Sequence, residues 1–210
     1  IQNNNDINKS IESHKSEVFD LKNSETNEEQ SAALQNIYDI VSGSKITYSI
    51  REKLLRIPAP FDAILVSKVL SGRIYLDGSP FDIKVDLHKL VSDEPKRDKY
   101  VRETLFPNHP ISQASFEGLS GISENFFYGE EVKKNVTGIV SVNGVNSEVD
   151  FNLSAILIEG QLKINGEASF KWEQFNMKTP TSNFFTLSDD VRVKIEIIAD
   201  PVITSKNLKK

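Results

Sequence analysis

The sequence predicts a mainly β protein, arranged as an antiparallel sandwich or as a barrel closed around an apolar interior. Five segments alternate apolar and polar residues with a period of two, which is typical of strands with one buried and one solvated face. Turn signals separate these segments, among them Gly160 and the pair Asn143-Gly144, a strong hairpin signal. Because every strand must bury its apolar face, many such strands favour a sandwich or a barrel.

The leading residues differ from this pattern. Residues 1–26 are polar and rich in Asn and Ser, so we expect a flexible polar segment with too little apolar surface to fold alone. Over residues 27–43, apolar residues such as Ile37 recur at helical spacing, with Asn27 as a possible cap and Gly43 as a stop. This predicts one amphipathic helix of about three to four turns.

The β segments follow this helix, and they predict a barrel or sandwich domain over residues 44–200 with a basic C-terminal tail over 201–210. A shift of one residue in register would move a whole inward set to the other face. The inward sets of the five alternating segments are Ile46, Tyr48 and Ile50; Phe81, Ile83, Val85 and Leu87; Val149, Phe151, Leu153 and Ala155; Leu162, Ile164, Ala168 and Phe170; and Val191, Val193, Ile195 and Ile197.

A short helix interrupts the β pattern over residues 96–105. Ser92 or Asp93 can cap it, Pro95 suits its first turn, and Asp98 can pair with Arg102 at the favourable i,i+4 spacing. Prolines 107 and 110 end it. Its mainly apolar side predicts a lid or plug over one end of the domain.

The composition excludes several classes of function. A chain of 210 residues with 38% hydrophobic content can bury one ordinary core. The formal net charge of -5 argues against a nucleic-acid partner, which needs a concentrated basic face. The chain has no cysteine, so disulfides and thiolate chemistry are excluded, and no apolar run is long enough to span a membrane as a helix.

The motifs of common enzymes and metal sites are missing from the sequence. His14, His88 and His109 have no metal-binding spacing, and no HExxH, GxSxG, phosphate-loop or calcium-loop motif occurs. A Ser-His-Asp triad assembled from distant residues stays open. We therefore expect a non-enzymatic protein with no metal and no cofactor.

Two accounts of the interior remain open at this point. Side chains could fill it completely, or a barrel of about eight strands could leave a cavity for a ligand. The periodicity does not separate them, because both accounts bury the same face of each strand.

The stretch "RDKYVRETLFPNHPISQASF" resembles the signature of the YceI-like family of polyisoprenoid-binding proteins, in which an Arg-Asp pair opens a short helix that is followed by Leu, an aromatic residue, Pro and an aromatic-bearing strand. Here these are Arg97-Asp98, Leu105-Phe106, Pro110 and Phe116. The stretch "ITYSIREKLLRIPAPFDAILVSKVLSGRIYLDG" is similar to the family's opening strands, as "VTGIVSVNGVNSEVDF", "SFKWEQFNMKTP" and "SDDVRVKIEIIA" are to later ones. The resemblance covers residues 44–199, with Tyr100 and Asn176 where the family often has His and Gly.

The resemblance implies an antiparallel, about eight-stranded lipocalin-like β-barrel with a short helix between strands. It further implies non-enzymatic binding, transport or storage of an isoprenoid lipid, either a polyprenyl lipid or an isoprenoid quinone, in an exported protein that is periplasmic or extracellular and near a membrane. The expected ligand-binding residues are Ile46, Tyr48, Ile50, Phe81, Ile83, Val85, Tyr100, Leu105, Val140, Phe151, Leu153, Ile164, Phe170, Val193 and Ile195.

A second hypothesis comes from a different class of function. The leading residues lie outside the resemblance, and a lipid carrier alone does not need them. The protein could therefore be an accessory subunit of a membrane-surface complex, docked onto a protein partner through the N-terminal helix.

Overall fold

The computed structural model describes residues 36–119 and 121–202. Residues 37–201 form a compact unit of ten strand segments. The segments are β1 (Ile37–Ile40), β2 (Lys45–Leu54), β3 (Phe61–Ser67), β4 (Leu70–Tyr75), β5 (Phe81–Asp86), β6 (Ile111–Phe116), β7 (Val132–Val142), β8 (Val145–Ile158), β9 (Gln161–Lys171) and β10 (Phe185–Pro201).

The ten segments make eight continuous strands in a closed antiparallel barrel. Segments β1 and β2 both pair with β10, and they are two halves of one bent strand. Segments β3 and β4 likewise pair with β2 and β1 and make up the second strand. Each later strand pairs with the next along the chain, and β10 returns to β1 and β2. The predicted antiparallel barrel of about eight strands is confirmed.

Two buried serines connect the sheet across the bends in the first two strands. Between β1 and β2, the hydroxyl of Ser44 donates to the carbonyl of Ile198 at 3.0 Å and accepts from its amide at 2.9 Å. Between β3 and β4, the hydroxyl of Ser67 donates to the carbonyl of Asp86 at 3.1 Å and accepts from the amide of Val69 at 3.3 Å. These bonds satisfy polar backbone groups that the bends remove from the ladder.

The predicted N-terminal helix is wrong where the structure describes it. Residues Ile37–Ile40 form strand β1, in which Tyr38 is buried and lies opposite Ile74 of β4 and Pro201 of β10. An isolated amphipathic helix of this length is marginal in water, whereas a strand here completes the backbone pairing of the barrel. Residues 27–35 of that prediction, the polar segment 1–26 and most of the predicted basic tail lie outside the described residues.

The predicted short helix is present between β5 and β6. Helix α1 covers Pro95–Tyr100 and continues as one wider turn over Val101–Leu105. Its cap is the side chain of Glu94, which accepts from the amide of Lys96 at 3.0 Å. Asp98 accepts from the hydroxyl of Ser92 at 2.7 Å rather than pairing with Arg102, because the chain before the helix folds back onto it.

Consecutive strands run in opposite directions, so their connections lie alternately at the two ends of the barrel. Side chains fill one of these ends. At the end where β8 turns into β9, Phe126 is 1% exposed, while Ile74 and Leu162 have no exposed surface. Above this layer the ring of Phe116 stacks on Phe81 with centroids 5.1 Å apart and meets Phe151 edge-on at 5.5 Å. We refer to this packed part of the barrel, up to and including Phe81, as the filled end; Phe116 and Phe151 form its boundary and also line the cavity described below.

Four connections meet at the opposite end of the barrel. They are the loop over residues 55–60, the segment with α1 between β5 and β6, the β7–β8 hairpin and the segment between β9 and β10. In the hairpin, Asn143 has φ of 55° and Gly144 has φ of 77°, as a two-residue turn of this kind requires. This end holds the cavity described next, and we refer to it as the open end.

Candidate functional site

A cavity of about 600 Å³ occupies the interior of the barrel at the open end. The inward positions of β2, β6, β9 and β10 supply much of its wall. Small residues create the space: Ala168 of β9 lies opposite Phe151 and Val193, and Ala114 and Ala63 line the cavity on the other side. Side chains therefore do not fill the interior completely: one end is packed, and the other holds a cavity.

The structure brings most of the predicted ligand-binding residues together. Twelve of the fifteen line the cavity: Ile46, Tyr48, Ile50, Ile83, Val85, Tyr100, Leu105, Val140, Phe151, Phe170, Val193 and Ile195. Contact between these side chains and a ligand stays a prediction.

Three predicted residues face the interior away from the cavity wall. Phe81 stacks on Phe116 in the filled end, and Ile164 lies buried opposite Ile197. Leu153 packs over Gly166, where an added Cβ would lie 2.6 Å from the Leu153 methyl carbon. Alternation within a strand predicts which face of the sheet a residue lies on. Its position along the barrel axis depends on the register between strands, which the pattern of a single strand does not contain.

Several cavity residues were not predicted from the sequence, because they lie in connections between strands rather than in alternating strands. Trp172, Phe175 and Met177 line the cavity from the segment after β9, where residues Trp172–Phe175 form a 3₁₀ turn. The indole nitrogen of Trp172 donates to the carbonyl of Ser188 at 3.1 Å, which holds the ring in the wall. The i,i+3 spacing of Trp172 and Phe175 was the available signal.

A cluster of charged residues lies where helix α1 meets the cavity mouth. The guanidinium of Arg97 contacts the carboxylate of Glu52 at 2.9 Å and that of Asp93 at 2.6 Å. The side chains of Arg97 and Glu52 are only 17% and 10% exposed. The hydrogen bond from Arg97 holds the pKa of Asp93 below its usual range. For Arg97 itself burial lowers the pKa, but pairing with the two carboxylates outweighs it, so the guanidinium stays charged.

Tyr48 places a phenol among the mainly apolar side chains of the cavity wall. Its hydroxyl has no hydrogen-bond partner among the described residues, although its ring packs against the core. Burial raises the pKa of Tyr48, because the charged phenolate would lose its hydration. The group is therefore a neutral phenol, which can donate one hydrogen bond to a ligand.

The helical segment at the mouth is held by contacts with three neighbouring elements. The ring of Tyr100 meets Phe185 of β10 edge-on at 6.2 Å. The side-chain amide of Asn143 donates to the carbonyl of Leu105 at 3.0 Å, and Nε2 of His88 donates to the carbonyl of Phe106 at 2.7 Å. The segment thus covers part of the open end, as the lid hypothesis expected, and it is tied down on both sides.

Within residues 36–119 and 121–202, no group of three or more His, Asp and Glu side chains is placed to hold a metal ion. In the same part of the chain, no helix has both the length and the apolar content to cross a bilayer.

Comparisons with known proteins agree with the fold. The family model of the YceI-like domain matches residues 41–199. A polyisoprenoid binding domain from Saccharophagus degradans, implicated in plant cell wall breakdown, superposes with a TM-score of 0.63 at 13% identity over 80% of this chain and 99% of that chain. BcnA from Burkholderia cenocepacia superposes with a TM-score of 0.55 at 17% identity over 74% of this chain and 95% of that chain. No curated protein sequence matches the chain.

Proposed function

The chain belongs to the YceI-like family, and from this premise we propose that it binds an isoprenoid lipid in the cavity at the open end of its barrel. The observation that carries the proposal is the apolar cavity of about 600 Å³ with its charged residues confined to the mouth. A cavity of this size lies within the range of about 300–1,000 Å³ typical of small-molecule sites.

The chemistry of the wall suits a branched hydrocarbon chain. An isoprenoid tail has almost no polar atoms, so its affinity comes from apolar surface removed from water, at about 25 cal/mol per Å². Side chains such as Ile50, Val140 and Phe170 supply a dry surface of this kind. The likeness to the polyisoprenoid binding domain supports the same class of ligand.

A polyprenyl lipid and an isoprenoid quinone differ at the polar head. Both could extend the tail along the wall, but a quinone also carries carbonyl oxygens that accept hydrogen bonds. The phenol of Tyr48, which has no hydrogen-bond partner in the described part of the chain, favours a ligand with such an acceptor inside the cavity. Binding without catalysis is the role we propose, as transport or storage of the lipid.

The position of Trp172 makes the proposal directly testable. It is the only tryptophan in the chain and it lines the cavity, so its fluorescence reports occupancy of the site. Delipidated protein titrated with an isoprenoid quinone should show saturable quenching, whereas a water-soluble quinone without a tail should quench weakly and without saturation. Solvent extraction of the purified protein, followed by mass spectrometry, should release an isoprenoid lipid.

The proposal fails under two joint results. If extraction yields no lipid and Trp172 fluorescence does not respond to any isoprenoid tested, the cavity is not an isoprenoid site. A saturable response to straight-chain fatty acids alone would reassign the cavity to another lipid class.

An exported location near a membrane is part of the same proposal, because the resemblance to the YceI-like family implies it. Fractionation of the native cells should recover the protein outside the cytoplasm. Recovery in the cytoplasmic fraction would contradict this location and leave the lipid site itself unaffected.

A further inference from the structure

Two neighbouring loops at the open end expose large apolar side chains to solvent. Leu55 and Ile57 lie in the loop after β2, and Phe184 precedes β10. Their exposed fractions are 74%, 43% and 72%. The amide of Leu55 donates to the carbonyl of Phe184 at 2.9 Å, which holds the two loops together. We refer to Leu55, Ile57 and Phe184 as the mouth patch.

The mouth patch is continuous with the wall of the cavity. Leu54 and Phe185 line the cavity, and each is the direct neighbour of an exposed member of the patch. In the register of the sheet these two residues lie opposite each other. An apolar surface therefore runs from the interior of the barrel over its rim into solvent. Contiguous exposed apolar surface of this kind marks an interaction site, unlike single exposed apolar residues.

Within the two loops that carry the mouth patch every charge is positive. The carboxylates of Glu52, Asp93 and Glu94 also line the cavity mouth, and Arg97 pairs with the first two. Residues 53–61 and 178–187 contain Lys53, Arg56 and Lys178 and no carboxylate. None of these three cations has an ion-pair partner in the part of the chain that the structure describes. The carboxylate of Asp189 reaches the second loop by a hydrogen bond from Thr179, but it also lies 3.5 Å from Nζ of Lys171.

The filled end offers a contrast with the same kind of side chains. There Phe127, Tyr128 and Ile158 are also exposed, Tyr128 to 89%. Their surroundings are acidic, with Glu124 before the two aromatic residues, Glu130 and Glu131 after them, and Glu159 beside Ile158. Apolar exposure is therefore common to both ends, whereas the loops that carry it are basic at the open end and acidic at the filled end.

Apolar tips surrounded by cations match the chemistry of an anionic lipid surface. Leu and Phe side chains enter the boundary between headgroups and acyl chains, and Lys and Arg bind the anionic headgroups. From this match we propose that the mouth patch, with Lys53, Arg56 and Lys178, docks the protein on an anionic lipid membrane with the cavity mouth facing the bilayer. The reason for docking rests on the proposed function, since an isoprenoid cargo resides in membranes. The binding chemistry itself depends only on the side chains of the two loops.

Vesicle flotation with the full chain tests the docking surface. The protein should float with vesicles of phosphatidylcholine and phosphatidylglycerol and much less with phosphatidylcholine alone. The L55S/F184S variant should lose at least about tenfold in affinity for the anionic vesicles, because it removes the inserting groups. The K53Q/R56Q/K178Q variant should lose the preference for phosphatidylglycerol.

The filled end supplies the matched control. The F127S/Y128S variant removes two exposed aromatic residues from the acidic surroundings, and it should bind vesicles as the wild type does. Equal losses in this control and in L55S/F184S, or a wild type that ignores anionic vesicles, would overturn the docking surface. A dimer in solution that dissociates on the L55S/F184S change would reassign the patch to contact with a second copy of the chain.

Fluorescence of Trp172 separates failure of docking from failure of the proposed function. The L55S/F184S variant leaves the cavity wall intact, so it should still bind a soluble short-chain isoprenoid quinone. Binding of that quinone by a wild type that does not float refutes the docking alone. Flotation of a wild type that binds no isoprenoid refutes the proposed function and leaves the docking standing.

Discussion

Arg97 of helix α1 and Glu52 of strand β2 form an ion pair of 2.9 Å across 45 residues of sequence. The pair is the principal charged link between the helical segment and the barrel wall at the cavity mouth. Because both side chains are mostly buried, the attraction between the two charges offsets the hydration that each lost on folding.

Replacement of Arg97 by Leu should therefore destabilise the protein strongly. It leaves the carboxylate of Glu52 buried without its counter-ion, which costs about 3 kcal/mol or more in the free energy of unfolding. Urea denaturation measures this change. The double variant E52L/R97L is the control, and it should recover a large part of the loss; a double variant as unstable as R97L would show that the pair itself supplies the stability.

Filling the cavity should weaken lipid binding without unfolding the barrel. The A168F change directs a ring from β9 into the space opposite Phe151 and Val193. Displacing as few as two methylene groups of the ligand at about 0.8 kcal/mol each lowers affinity at least about tenfold. Titration followed by Trp172 fluorescence, together with thermal denaturation, measures both effects.

The neighbouring position provides the control for that experiment. Ser169 points outward from the same strand and is exposed, so S169F adds the same ring outside the barrel. Lipid affinity in S169F should match the wild type. If A168F also binds with wild-type affinity, the ligand does not occupy this part of the cavity.

Tyr48 should discriminate between ligands by their polar groups. The Y48F change removes the phenol and keeps the ring, so affinity for an isoprenoid quinone should fall by about 1 kcal/mol, or roughly fivefold. Affinity for an isoprenoid hydrocarbon should be unchanged, because it accepts no hydrogen bond. The comparison uses the same fluorescence titration, and equal affinities of Y48F and wild type for the quinone would remove Tyr48 from the site.

An ion-pair cluster on the outer face of the barrel should make the stability of the protein depend on pH. Asp62 of β3 bonds Arg192 of β10 at 2.8 Å and Arg51 of β2 at 3.5 Å, and these partners lower the pKa of its carboxyl. In the unfolded chain the pKa of Asp is about 3.9. Stability from this depressed pKa is fully present above that value and is lost as the pH falls through the folded-state pKa.

Melting temperatures measured from pH 6 down to pH 3 should therefore decline less steeply in D62N than in the wild type. The difference should be small, since an exposed pair is screened by solvent. Identical pH profiles for the two proteins would show that Asp62 titrates alike in the folded and unfolded states.

Much of the fold could be predicted from local pattern. Alternation identified the inward face of β2, β5, β8, β9 and β10, and the Asn143-Gly144 turn follows from φ angles that few residue pairs tolerate. The helix at Pro95 was predicted from its proline and its charges, although Glu94 caps it. The helix prediction was wrong at Ile37–Ile40, because four residues are compatible with both the helical and the strand period. Only their pairing with β4 and β10 decides between the two.

The sequence by itself determined that the barrel has an apolar lining, because the face of each side chain follows from a two-residue period within one strand. Only the tertiary structure decided which end is filled and which is hollow. That division depends on volumes summed across all strands: Ile74, Phe126 and Leu162 pack one end, whereas Ala63, Ala114 and Ala168 line the cavity at the other. The link between Arg97 and Glu52 has the same origin, since residues 45 positions apart become neighbours only when the barrel closes.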